Sequence, residues 1–374
     1  MGLEKKKKSI LGIIGIIVLV IGVGSFYFFE ESVGREPIKI GVILAETGPS
    51  TGLDTEVRDG MLMSVDEINS FDGINGRPIE LIFVDNESNT EKAKKDFLEI
   101  EETHAPLLYI SATSAISAAI SPLAEEHEVV LLAVAATATN ITVDKHWTYR
   151  YYPTAEIEAV AISRILDDLN VKNLGMLYQK DEFGRSVANA VEVGYQNSER
   201  TVTREPFDLN ATDFKDHIMN LQNTDAIVFV AWPDYVEAIF KNMREVNYPG
   251  HIIGSSDAVS PNLISMPEAN GVYLATPTIY NSEFLFASTV SENYESRYNK
   301  QIDHFSANGY DMIRILGGIL QDEELTRDNV KRILDNGFSY SGVFGSIDVL
   351  PGEHDSTFPL VPSQVIDGKL VFRR

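Results

Sequence analysis

The side chains that could do chemistry in this sequence are hydroxyls, carboxylates and a few aromatic rings gathered in short loops, and what they could do is hold a small polar molecule. Six loops of this kind, at 46–52, 111–115, 134–137, 181–184, 232–234 and 254–257, each follow an apolar run. Five of the six are rich in Gly, Pro, Ser or Thr, so they expose main-chain N–H groups as well as side-chain hydroxyls. The residues that stand out are Ser114, Ala135, Thr137, Phe183, Trp232, Ser256 and Asp257. Five of them also have a plainer reading. Ser114 and Asp257 could be helix caps, Thr137 could bond its own turn, and Phe183 and Trp232 could be ordinary packing aromatics.

The patterns of an enzyme are missing. The seven His residues show no His-x-x-x-His spacing, and neither a Gly-x-Ser-x-Gly elbow nor a Gly-x-x-x-x-Gly-Lys loop occurs. There is no Cys, which removes thiol nucleophiles, thiolate zinc sites, disulfides and a lipid-bearing Cys together. We therefore expect no catalytic residues, no metal and no cofactor. With 31 Lys and Arg against 55 Asp and Glu, the formal charge is −24, and nucleic acid is not an expected partner.

The elements that must position these loops alternate. Apolar runs at 38–44, 79–84, 107–110 and 129–132 are separated by stretches of helical period, and the alternation restarts near 150 with runs at 174–178, 202–205, 226–231 and 252–254. Helical patterns follow near 286–298, 310–320 and 328–334, then β-rich runs at 343–349 and 370–373. Repeated strand–helix units predict parallel sheets covered by helices, and about 340 residues exceed one comfortable core. The fold class expected is α/β, with two doubly wound parallel-sheet lobes. Ligands bind such sheets at the carboxyl ends of the strands, where all six loops lie.

Ahead of the lobes, Lys5 to Lys8 precede an uncharged stretch, 10–29, long enough to cross a bilayer. Residues 1–33 are therefore expected to be a basic cytoplasmic tip and one N-terminal transmembrane helix, with the body outside the cell. A cleaved signal peptide is the alternative. Asn86, Asn140 and Asn210 open acceptor sequons.

Several motifs fall in a telling order: Ile-Gly-Val-Ile-Leu-Ala-Glu-Thr-Gly-Pro-Ser-Thr-Gly at 40–52, Phe-Asp-Gly-Ile-Asn-Gly-Arg-Pro at 71–78, Ser114 with Ala135-Ala136-Thr137, Phe183-Gly184, and Ala-Asn-Gly-Tyr-Asp at 307–311. Across 38–373 the chain resembles the type I periplasmic binding proteins of the branched-chain amino-acid class, the substrate-binding subunits of ABC importers. The resemblance implies two lobes joined by three crossovers, near 152–156, 275–280 and 341–344, closing on a ligand. It implies a first lobe of 34–153 plus 280–341 and a second of 154–279 plus 342–374. Ser114, Ala135 and Thr137 match the residues that hold an amino acid's carboxylate in the family, while Phe183 and Trp232 match the aromatics over its side chain. The position matching the family's acid for the ammonium is Ser256, with Asp257 beside it. The implied partners are a small-molecule ligand and ABC permease and ATPase subunits. A sensory ectodomain signalling through a separate membrane partner is the rival reading.

Overall fold

The structure, a computed structural model, describes residues 35–196, 199–277 and 285–373. Its first sheet is built by β1 (Ile38–Leu44), α1 (Thr51–Ser70), β2 (Ile79–Asp85), α2 (Thr90–His104), β3 (Leu108–Ser111), α3 (Ser114–Glu126), β4 (Val130–Ala133) and β5 (Thr148–Arg150). The five strands are all parallel, in the order β2-β1-β3-β4-β5. Both faces are covered, so the strands are continuous apolar runs rather than alternating ones: β1, Ile-Lys-Ile-Gly-Val-Ile-Leu, is buried at all but Lys39.

After Arg150 the chain leaves this sheet through Tyr151–Thr154 and builds a second: α4 (Ala155–Asp168), β6 (Asn173–Gln179), α5 (Glu182–Tyr195), β7 (Thr201–Phe207), α6 (Lys215–Asn220), β8 (Ala226–Val230), α7 (Pro233–Glu245), β9 (His251–Gly254), α8 (Pro261–Ile264) and β10 (Tyr273–Pro277). It returns to the first unit with α9 (Leu285–Tyr298), α10 (His304–Ile319), α11 (Arg327–Asp335) and a hairpin of β11 (Phe338–Ser341) and β12 (Ser346–Val349). It ends in the second with β13 (Leu360–Ile366) and β14 (Lys369–Phe372), giving the order β14-β13-β10-β9-β8-β6-β7.

Close helix packing anchors the return. A Cβ on Gly60 of α1 would lie 2.0 Å from the Ser306 carbonyl, and one on Gly309 of α10 would lie 2.2 Å from the Val57 carbonyl. Only glycine lets the two backbones approach this way. The motif at 307–311 is thereby explained as architecture. Asn308 donates to the carbonyls of Val134 and Tyr151, Tyr310 to Glu67, and the Asp311 carboxyl accepts from the N–H groups of Val343 and Phe344.

Two expectations change. The second sheet is mixed, because β13 runs antiparallel to both β10 and β14; it is entered from the other unit, and no βαβ crossover dictates its direction. The third passage lies later than 341–344. Asp311 holds residues 343 and 344 to the first unit, and the Arg150 guanidinium pairs with Asp355 there at 2.9 Å, so 342–357 does not join the second sheet, which the chain enters at Leu360. The second passage, expected at 275–280, falls partly on residues outside those described. The apolar stretch 10–29 lies wholly outside the described residues, and among those described no helix is long and apolar enough to cross a membrane. Of the sequons, Asn86 is buried, so a glycan has no access to it in the folded chain.

Candidate functional site

Every candidate residue lies at the carboxyl end of a strand, and all are buried. On the first sheet, β3 ends at Ser111 and α3 starts at Ser114, with Thr113 in the N-cap position. Ser114 is therefore not the cap. Its Oγ reaches across to the loop after β4 and accepts the main-chain N–H groups of Thr137 at 3.0 Å and Ala138 at 3.2 Å. A hydroxyl that accepts twice still has its own proton to donate. The loop is fixed from behind by the buried Arg150, whose guanidinium donates to the carbonyls of Thr137 and Ala138 and, through Nε, to Asp355. Ala135 and Thr137 thus sit on a rigid shelf beside the N-terminus of α3, where anions are favoured.

On the second sheet one side chain organises two loops. Gln179, the last residue of β6, accepts the Trp232 N–H through Oε1 at 2.8 Å and donates through Nε2 to Asp181 at 2.9 Å. Asp181 caps α5 by accepting the Gly184 N–H, and burial pushes its carboxyl up to about 6. Phe183 and Trp232, at the heads of α5 and α7, are thereby held in fixed relation, and Trp232 stacks on Tyr235.

Ser256 and Asp257 form a single turn after β9. Asp257 does not cap α8, whose N-cap is Ser260; instead its Oδ1 lies 3.4 Å from the hydroxyl of Tyr152, in the passage between the units. Burial raises its pKa well above the carboxylate range, and the nearby Glu158 raises it further. The structure adds three residues to the set. Glu158, on α4, is fully buried and accepts the Ser256 N–H, with its pKa pushed up to about 7 by burial. Tyr152 and His304 complete the cluster, the imidazole Nε2 lying 3.1 Å from the phenol. Glu158 left a trace in the sequence: with Ile162, Ile165 and Leu166 it occupies the apolar face of α4, where an unpaired acid is costly.

The two units touch around this region. Thr139 donates its N–H to Ser186 and its hydroxyl to Glu156, and Asn140 donates to Glu182. Asp234, at the head of α7, crowds Gly52 at the head of α1. These contacts join the two units across the strand ends, and with the burial of every candidate residue they are what a closed form requires.

A family model described as periplasmic binding protein matches residues 37–369. The Leu/Ile/Val-binding protein homolog 4 of Brucella abortus is 22% identical over 269 residues, 63% of this chain and 64% of that protein. The chemotactic signal transduction system substrate-binding protein BasB of Halobacterium salinarum is 23% identical over 262 residues, 64% of this chain and 60% of that one. The chain thus spans under two thirds of the length of either relative. Among solved structures, the branched-chain amino-acid transporter substrate-binding protein LivJ of Streptococcus pneumoniae, in complex with isoleucine, superposes with a TM-score of 0.78 at 21% identity, covering 90% of this chain and 100% of that one.

Proposed function

Since the chain belongs to the periplasmic binding protein family, we propose that it is the extracytoplasmic solute-binding protein of an ABC importer and that it captures an amino acid between its two lobes. The observation that carries this reading is Asp257, which is turned away from α8 toward Tyr152 and is left without a cation. The first lobe contributes the donors of Ser114 and the α3 N-terminus. A carboxylate suits the first wall, an ammonium suits Asp257, and Phe183 and Trp232 supply apolar cover for a side chain between them. Their burial in the closed form supports closure by contacts that exist only when both lobes engage the ligand.

The apolar stretch 10–29 after Lys5 to Lys8 supports an anchored rather than a released protein, and permease and ATPase subunits would take the solute onward. The test is a thermal-shift panel of amino acids, amides and simple carboxylates on the full chain. A cleft ligand at about 100 times its dissociation constant adds about 2.7 kcal/mol of stability. Branched-chain amino acids should give the largest shifts, and a response to carboxylates alone would remove the amino-acid assignment. The similarity to BasB, a substrate-binding protein of a chemotactic signal transduction system, favours a second reading, in which the same closed form is presented to a signalling partner. Co-purification with a permease rather than a transducer separates the two.

A further inference from the structure

Glu158 and Asp257 come from different elements, the first turn of α4 and the turn after β9, and meet in the interior. Oε1 of Glu158 accepts the Ser256 N–H, but Oε2 is buried without a partner, as is the Ser255 hydroxyl. The Ser256 hydroxyl lies among Glu158, Tyr152 and Asp257 without a well-formed bond to any of them. The titratable groups facing the pair from the surrounding elements are Tyr152, Asp181, Asp303 and His304, all neutral or acidic. Among the described residues no Lys or Arg pairs with either acid, and the buried Arg150 is spent on Asp355 and two carbonyls. A buried acid pair is costly unless a cation joins it, and unsatisfied acceptors beside it mark where the cation goes.

Building on the amino-acid reading above, we propose that Glu158 shares with Asp257 the recognition of the ligand's cationic nitrogen, so that the second lobe selects an amine with two carboxyl groups rather than one. An ammonium brings three donors and can bond both acids, whereas a single acid would leave donors over. Two like charges at this depth cannot both ionise while the site is empty, so the pair holds a proton. The entering ammonium replaces it, and the proton leaves to the buffer.

The experiment is isothermal titration of the full chain and of Glu158→Gln with L-leucine, 3-methylbutylamine (the amine without the carboxylate) and 4-methylpentanoate (the carboxylate without the amine). It is run in phosphate and in bis-Tris at about pH 6, with thermal unfolding of the empty proteins at about pH 8. Glu158→Gln should weaken both amines by about tenfold or more, leave 4-methylpentanoate within about twofold, and reduce the buffer-dependent heat, since Asp257 keeps a proton of its own to release. It should also raise the unfolding temperature at the higher pH, because a buried charge has gone. Unchanged amine affinity with unchanged buffer heat would overturn the proposal. Wild-type protein that binds 4-methylpentanoate as tightly as leucine would overturn it too, while leaving solute binding intact. If the wild type ignores all three compounds, the amino-acid reading falls. The unfolding temperatures then decide the pair, since a less stable Glu158→Gln means that the acid serves only to hold Ser256.

Discussion

The hydroxyl of Tyr152 lies 3.1 Å from Nε2 of His304, and that contact fixes where the protons of the buried cluster reside. Burial holds the His304 pKa down to about 3, so the ring is neutral. Its Nδ1, 2.8 Å from the Val259 carbonyl, must carry the ring proton, leaving Nε2 as an acceptor. Tyr152 has one proton to give. Once Nε2 takes it, the 3.4 Å contact with Asp257 is a hydrogen bond only if Asp257 is itself protonated, the form its burial favours.

Tyr152→Phe should therefore leave two buried groups short of a partner at once. The expected loss is about 1–3 kcal/mol of unfolding free energy, read from urea denaturation below neutral pH. Unchanged stability would mean that the hydroxyl plays no part in the cluster.

Ser114→Ala should act on both the fold and the ligand. Two main-chain N–H groups, of Thr137 and Ala138, lose their acceptor, and a bound carboxylate loses the hydroxyl proton. Binding of a carboxylate-bearing ligand should weaken by about 1–3 kcal/mol in calorimetry, with Thr137→Ala in the same range. Wild-type affinity in both variants would exclude this wall as the carboxylate site.

Stability should fall as pH rises toward neutrality. Burial pushes the carboxyls of Asp54, Glu158 and Asp311 up to about 7, above the values of about 4 that they have in an unfolded chain. Between those limits the folded state binds more protons than the unfolded state, so stability is greatest at the acid end of the window and is lost as pH climbs through the folded pKa. Thermal unfolding should show a midpoint several degrees lower at about pH 7.5 than at about pH 4.5. In Asp311→Asn the drop should be smaller.

Much of this was legible in the sequence, and the exceptions have physical causes. Strands such as β1, β4 and β8 announce themselves because a strand covered on both faces is apolar over nearly all its length. β5 is three residues long, and β13 carries Pro362 and Ser363 in its middle, so neither makes a run. The loops of the site were visible because small polar residues follow each strand. The residues that tie them together, Gln179, Tyr152 and His304, were not: each acts through a partner dozens of residues or more away, and no local pattern records such a pairing. Asp257 was visible, but its orientation was not, because a cap and a ligand acid look alike until the cap of α8 is seen to be Ser260.

The contact between Gly52 and Asp234 should set how readily the lobes close. A Cβ on Gly52 would lie 2.6 Å from Oδ1 of Asp234, a residue of the other lobe, and within the first lobe it meets no equivalent obstacle. Ser50, the N-cap of α1, spends its hydroxyl on Asp54 rather than on the helix end, so Asp234 is the acid that faces that positive end on closure. Gly52→Ala thus strains the closed form and spares the open one. The atoms met are the end of a side chain, which can turn aside, so the cost falls at the lower end of the range for overpacking, about 1–3 kcal/mol. About 1.4 kcal/mol on the closed state alone weakens ligand binding about tenfold. Small-angle scattering should show a larger radius of gyration for the variant, while its unfolding midpoint stays near that of the wild type. Asp234→Ala in the same chain removes the obstacle and should restore part of the affinity. Loss of affinity that persists in the double variant would place the effect of the new methyl within the first lobe, and closure would then not depend on this pair.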